Sequence, residues 1–127
     1  MRGHREVVEV MLEHKIDVNL VNPSNNHQSL LFVSCQHGHA SVVDLLISNK
    51  ANVNCFDQRG FSALRIASYL GRTDVVKRLL AHGADVHAVD HNELLQEKMT
   101  PFHAAILGGH IDVVEALVAA GSNINAK

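Results

Sequence analysis

Asp57-Gln58-Arg59-Gly60-Phe61-Ser62-Ala63-Leu64-Arg65-Ile66-Ala67-Ser68-Tyr69-Leu70-Gly71 leads straight into Arg72-Thr73-Asp74-Val75-Val76-Lys77-Arg78-Leu79-Leu80-Ala81-His82-Gly83-Ala84 and then Asp85-Val86-His87-Ala88-Val89. Each punctuation mark in this passage has a physical cause. Asp57 and Gly60 bound a tight turn, because the carboxylate accepts backbone N–H bonds and glycine tolerates positive φ. Ser62 is an N-cap whose hydroxyl satisfies an orphaned N–H at the start of a helix of about two turns. Gly71 ends that helix, and Asp74 puts negative charge on the first turn of a second one, predicted over Asp74 to His82. In that second helix Val75, Val76, Leu79 and Leu80 form an apolar stripe too wide for one helix pair to bury. Gly83 then stops it in a left-handed conformation.

The passage recurs. Gly3-His4, Gly38-His39, Gly71-Arg72 and Gly109-His110 open comparable stretches 35, 33 and 38 residues apart. A period near 33 with two short helices per copy predicts a stack in which each copy covers the stripe of its neighbour. Ser29 and Thr100 repeat the cap, with Pro101 at the first helical position where its missing donor costs nothing. Glu6 and Asp112 repeat the acidic first turn, and Gly121 repeats the terminating glycine. Lys15 and Lys50 replace that glycine in the first two copies, at about 1 kcal/mol each for a side chain in left-handed backbone.

The quoted residues resemble the ankyrin repeat, whose pattern includes Thr-Pro-Leu-His, Gly-His, Val-Val-x-Leu-Leu and Gly-Ala-Asp-Val-Asn. Thr100-Pro101-Phe102-His103, the Gly-His pairs and Gly83-Ala84-Asp85-Val86 carry the likeness, which covers nearly the whole chain. It implies an all-α ankyrin-repeat solenoid with β-hairpin or turn fingers, three full repeats and one N-terminal partial repeat. The expected single domain, 1–127, divides into a partial repeat at 1–23, repeats at 24–56 and 57–89, and a repeat at 90–127 with a lengthened finger at 91–98. In the family the motif's histidine ties adjacent turns. Only His103 keeps it here, with Phe32 and Arg65 in its place, so those two interfaces are expected to be looser or differently tied.

Composition narrows the function. The 127 residues are 46% hydrophobic but only 4% aromatic, and the net charge of −2 carries no long block of either sign. Neither a nucleic-acid nor a membrane footprint is announced. Arg65, Arg72, Lys77 and Arg78 form the one basic cluster, read as a solvated helix face interleaved with Asp74. Cys35 and Cys55 form no C-x-x-C pair and read as buried thiols. With no signal peptide and no apolar run of membrane length, they favour a cytoplasmic or nuclear location. The ten histidines are mostly repeat punctuation, so no metal or other cofactor is expected, including at Cys35-x-His37-x-His39. No phosphate-cradling loop and no nucleophile or zinc-protease motif appears, and a solenoid offers grooves without a deep pocket, so no enzymatic activity is expected.

The resemblance implies binding of a partner protein on the concave face, through turn tips and the last residues of each first helix. Carried onto this sequence, those positions are Gln28, Gln58, Arg59, Phe61 and Met99 on the turns, with Asn25, Asn26, Gln96 and Glu97 beside them. On the helices they are Gln36, His37, Tyr69, Leu70 and Leu107. Arg59, Phe61 and Tyr69 belong to one copy and are of types that dominate interface energetics. The bland reading of Phe61 and Leu70 is packing onto neighbouring repeats. An alternative role is a regulatory or substrate-docking segment of a larger multidomain enzyme or adaptor. Val7, Val8, Met11 and Leu12 at one end, and Ile111, Val114, Leu117 and Val118 at the other, are expected to lack a covering layer. Such a segment of a longer array would self-associate through its uncapped ends. The family also includes substrates of asparaginyl hydroxylation, and Asn19, Asn54 and Asn125 match that position, with His87 in the third copy.

Overall fold

A computed structural model describes residues 2–24, 27–87 and 99–121. Along the chain run α1 (Arg2–Glu13), β1 (Val21–Asn22), β2 (Gln28–Ser29), α2 (Leu30–His37), α3 (Ala40–Ser48), α4 (Ala63–Leu70), α5 (Thr73–Ala81), α6 (Pro101–Gly108) and α7 (Ile111–Ala120). The helices form two layers. First helices α2, α4 and α6 pack on one another in sequence, and second helices α1, α3, α5 and α7 do the same behind them. This is the stacked-repeat architecture that the period predicts. Fingers connect each second helix to the next first helix. β1 pairs antiparallel with β2, Val21 opposite Ser29, while the finger of the third copy closes on a single bridge between Phe56 and Ser62.

The caps fall where sequence chemistry puts them. Ser29, Ser62 and Thr100 side chains accept from the N–H groups of Phe32, Arg65 and His103. Gly38, Gly71 and Gly109 end the first helices at φ of 78°, 75° and 74°. Asp74 and Asp112 occupy first turns. Glu6 does not, because α1 begins at Arg2 and so places it a turn inside the helix. Gly121 also departs, with φ −103°. Its N–H donates to the Leu117 carbonyl four residues back at 2.8 Å, whereas the Gly83 N–H donates to Leu80, three residues back, and Gly83 turns to φ +85°.

The core is one apolar sheet of contacts threading every copy, with Phe32, Leu31, Leu46, Leu64, Leu79 and Leu117 its largest buried side chains. Phe32 stands where the family pattern has histidine, so this interface is tied by apolar burial in place of a hydrogen bond. The ends do not open as the stripe suggests. Val8 is fully buried and Leu12 packs on the core, leaving Val7 half-exposed and Met11 partly buried. At the other end Leu117 is buried, while Ile111 and Val118 are exposed.

A ladder of side-chain amides joins the turns that follow the second helices. Asp17, Asn52 and Asp85 each accept the N–H of the residue two positions on. Asn19 Oδ1 accepts from Asn52 N–H at 2.7 Å, its Nδ2 donates to the Lys50 carbonyl, and Asn54 Oδ1 accepts from Asp85 N–H at 2.9 Å. Asn19 and Asn54 thus have structural work between neighbouring copies, and Asn125 lies outside the described residues. Lys15 and Lys50 hold φ of 56° and 74°, the strained geometry expected where glycine is missing. Only the Lys50 backbone enters the ladder, so Lys50→Gly is expected to raise stability by about 1 kcal/mol, read as a higher urea midpoint at unchanged m-value.

Cys35 is buried and Cys55 partly so, and neither is in a disulfide. Burial pushes both thiols above their usual range, with the Cys55 thiolate also opposed by Asp57 and partly favoured by the Ser29 hydroxyl 3.5 Å away. Both should therefore react slowly with iodoacetamide at neutral pH compared with the urea-unfolded chain. Because the folded pKa values are raised, their contribution to stability is intact below the unfolded thiol range and is lost as pH rises through the raised folded values. Equal labelling rates in the native and unfolded chain would contradict this.

Candidate partner-binding surface

The finger of the third copy is organised from inside by Asp57. Its side chain is wholly buried, and Oδ1 accepts the N–H groups of Arg59 and Phe61 at 3.0 and 3.1 Å. Oδ2 pairs with the Arg59 guanidinium at 2.7 Å. Gly60 completes the turn at φ 85°, donating to the Asp57 carbonyl. The Phe61 ring consequently lies against two guanidinium groups, Arg59 at 4.7 Å and Arg65 at 3.9 Å from its centroid. Contacts of this kind gain electrostatically from the ring quadrupole and hold all three side chains in one geometry. Arg65 also reaches the Met99 sulfur at 3.8 Å, which joins this finger to the start of the fourth copy.

Gln36, Tyr69 and Leu107 occupy one register position in α2, α4 and α6, so they form a row across the first helices. Tyr69 and Leu107 are exposed, at 44% and 63%, and Gln36 is half-buried. Gln58 is exposed and its amide oxygen meets the His27 ring at 3.1 Å. His37 is exposed and stacks on His39 with centroids 6.2 Å apart. The structure therefore brings Arg59, Phe61 and Met99 together through Arg65. Three candidates sit deeper: Gln28 is buried, and Leu70 and Phe61 are both partly buried and pack against the core. Asn25, Asn26, Gln96, Glu97 and the lengthened finger at 91–98 lie outside the described residues.

The basic cluster is not a simple solvated face. Arg72 Nε donates to the Gln36 carbonyl at 3.0 Å, and Arg78 pairs with Asp44, which His82 also approaches at 3.4 Å. These arginines tie adjacent copies. Sequence reasoning missed Ile106 and Phe56, both more than half exposed, and it missed the organising weight of Asp57 beyond its turn. Among the described residues no cluster could hold a metal ion, and no helix is long and apolar enough to cross a membrane.

Comparison with known proteins agrees with the architecture. A family model described as ankyrin repeats (3 copies) matches residues 1–90, and a second, ankyrin repeats (many copies), matches residues 64–118. The chain is 36% identical over 123 residues to alpha-latrocrustotoxin-Lt1a of Latrodectus tredecimguttatus, a match covering 96% of this chain and 8% of that protein. It is 29% identical to the probable E3 ubiquitin-protein ligase XBOS32 of Oryza sativa subsp. japonica, over 97% of this chain and 30% of the relative. It is 30% identical to the nuclear factor NF-kappa-B p105 subunit of Gallus gallus, over 98% and 13% respectively. The chain thus spans less than a third of the length of these relatives. Repeats of this kind are generally non-catalytic modules of protein interaction, often within larger multidomain proteins. Helix pairs, capping residues, left-handed glycines and family match all agree: the chain belongs to the ankyrin-repeat family.

Proposed function

We propose that the chain binds a partner protein on the concave face built by its fingers and first helices, with Arg59, Phe61 and Tyr69 at the centre. Gln58, Met99, Gln36, His37 and Leu107 flank them. The observation that carries this reading is the Arg59–Phe61–Arg65 stack fixed from below by buried Asp57. Side chains already held in place lose little rotamer freedom on binding, which is a main cost of association. Tyr69 adds a half-exposed ring with a polar tip, a type enriched at interface centres. The reading is tested by affinity capture with the chain and with an Arg59→Ala/Tyr69→Ala variant of matched thermal midpoint. The partner's affinity is expected to fall at least about tenfold. Undiminished binding would place recognition elsewhere.

A second reading is favoured by the relatives, two of which are named as an E3 ubiquitin-protein ligase and a nuclear factor subunit and extend well beyond the match. On it the segment is the regulatory or substrate-docking part of a larger protein, whose chemistry lies outside these residues. The Arg59/Tyr69 variant, placed in the longer protein, would then lose turnover of a docked substrate while keeping turnover of a small one.

A further inference from the structure

Carboxylates are unevenly placed between the two layers. First helices α2, α4 and α6 contain none, and in the described fingers the single carboxylate is that of Asp57, whose side chain is wholly buried. Every other described carboxylate lies on a second helix, from Glu6 of α1 to Glu115 of α7, or in the turn just after one, as Asp17 and Asp85 do. The finger and first-helix face carries Arg59 and Arg65 instead. Arg59 sends Nε and Nη2 to Oδ2 of Asp57, both at 2.7 Å, so its plane is fixed. Its Nη1 has no partner among the described residues, and the side chain stays 41% exposed. Arg65 covers the Phe61 ring at 3.9 Å, and half-exposed Tyr69 follows four residues later on the same side of α4. Residues so spaced are neighbours, with roughly 6 Å between their Cβ atoms.

We infer that this face takes an extended acidic segment of its partner, one that presents an Asp or Glu carboxylate to the Arg59 and Arg65 guanidinium groups and, two residues away, an aromatic or aliphatic side chain to Tyr69. The inference rests on the concave-face reading above and names the chemistry that the face selects. Side chains two apart on an extended chain point the same way and lie roughly 7 Å from each other, which matches the step from Arg65 to Tyr69 along α4. A carboxylate there receives charge-assisted N–H bonds from a guanidinium that Asp57 already holds in place, so little ordering entropy is lost. A basic segment would meet no accessible carboxylate among the described residues of this face, and its charge would lose water without gaining a partner. Nucleic acid is disfavoured, because two guanidinium groups make too short a basic stripe for a phosphate backbone and the chain carries a net charge of −2.

The test selects short linear peptides from a random phage-displayed library against the full chain, synthesises the enriched ones and titrates them into the nitrogen-labelled chain. Enriched peptides are expected to carry Asp or Glu two residues from an aromatic or aliphatic residue, and to shift the Arg59 and Arg65 Nε–H signals and the Tyr69 amide saturably. Changing that peptide carboxylate to its amide should cut affinity at least about tenfold, with the chain itself untouched. An Arg65→Gln chain should show a comparable loss for the acidic peptide and none for its amide analogue. No enrichment of carboxylates over the starting library, or equal affinity of the amide analogue, overturns the acidic requirement, while shifts at Arg59 and Tyr69 would still support the face. Peptides of any charge whose shifts fall on α3, α5 and α7 and spare Arg59 and Tyr69 overturn the concave-face reading and this inference with it. Tighter binding of a single-stranded oligothymidylate than of the peptides makes the ligand a nucleic acid and overturns the inference as well.

Discussion

Asp57→Ala is expected to cost about 3 kcal/mol of stability, the largest loss from any single polar residue in the described structure. The carboxylate accepts two backbone N–H groups and a guanidinium while its own side chain is fully buried. Removing one partner of a buried ion pair typically costs about 3–5 kcal/mol, because the other partner is left uncompensated. Arg59 is 41% exposed and recovers water, which argues for the low end of that range. Asp57→Asn separates the contributions: it keeps one acceptor oxygen for the turn and loses the charge, so about half of the deficit should return. Urea unfolding of the three proteins checks the order. A loss below about 1 kcal/mol for Asp57→Ala would mean the finger is held by Gly60 and the Phe56–Ser62 bridge instead. Because the same residue positions Arg59 and Phe61, partner affinity should fall with it even where the chain remains folded.

What was legible in the sequence was whatever one copy determines by itself. Ser29, Ser62 and Thr100 cap because a hydroxyl before a helix can reach the third N–H on, and Gly38, Gly71, Gly83, Gly109 and Lys50 show positive φ because the turn demands it of whichever residue arrives there. What stayed hidden depends on two copies at once. Arg78 with Asp44, Arg72 with the Gln36 carbonyl and Asn19 with Asn52 N–H are all pairs about one period apart. Read within its own helix, Arg78 looks like a solvated charge; written beneath the preceding copy, it falls opposite a carboxylate. Gln28 failed for a related reason: the finger tip was inferred from the pattern, but the antiparallel pairing of Asn22 with Gln28 sets which side chains turn inward. At the N-terminal end the stripe is split, because Val7 and Val8 point about 100° apart on α1, which leaves Val7 half-exposed and Val8 buried.

Gly108→Ala is expected to destabilise by about 2 kcal/mol, against the sign that helix propensity gives. Alanine in the last turn of α6 should gain up to about 1 kcal/mol over glycine from backbone entropy. A Cβ there would lie 2.4 Å from the Tyr69 carbonyl oxygen and 2.6 Å from the His110 ring. The ring can swing aside, but the carbonyl is backbone of α4, so relief requires the two helices to separate across their packed interface. Overpacking of that kind costs about 1–3 kcal/mol, and here it works against the packed interface of α6 with α4. His110→Ala added to Gly108→Ala should therefore recover little. The contrast is Gly71→Ala, where the three nearest atoms all belong to the His110 ring, at 2.5 to 2.9 Å. There His110→Ala should remove most of the steric part and leave about 1 kcal/mol from a side chain at φ 75°. A double-mutant cycle measured by urea unfolding distinguishes the two glycines. If Gly108→Ala proves neutral or stabilising, α6 is free to move away from α4, and the row of Gln36, Tyr69 and Leu107 is not the rigid surface that partner binding on this face requires.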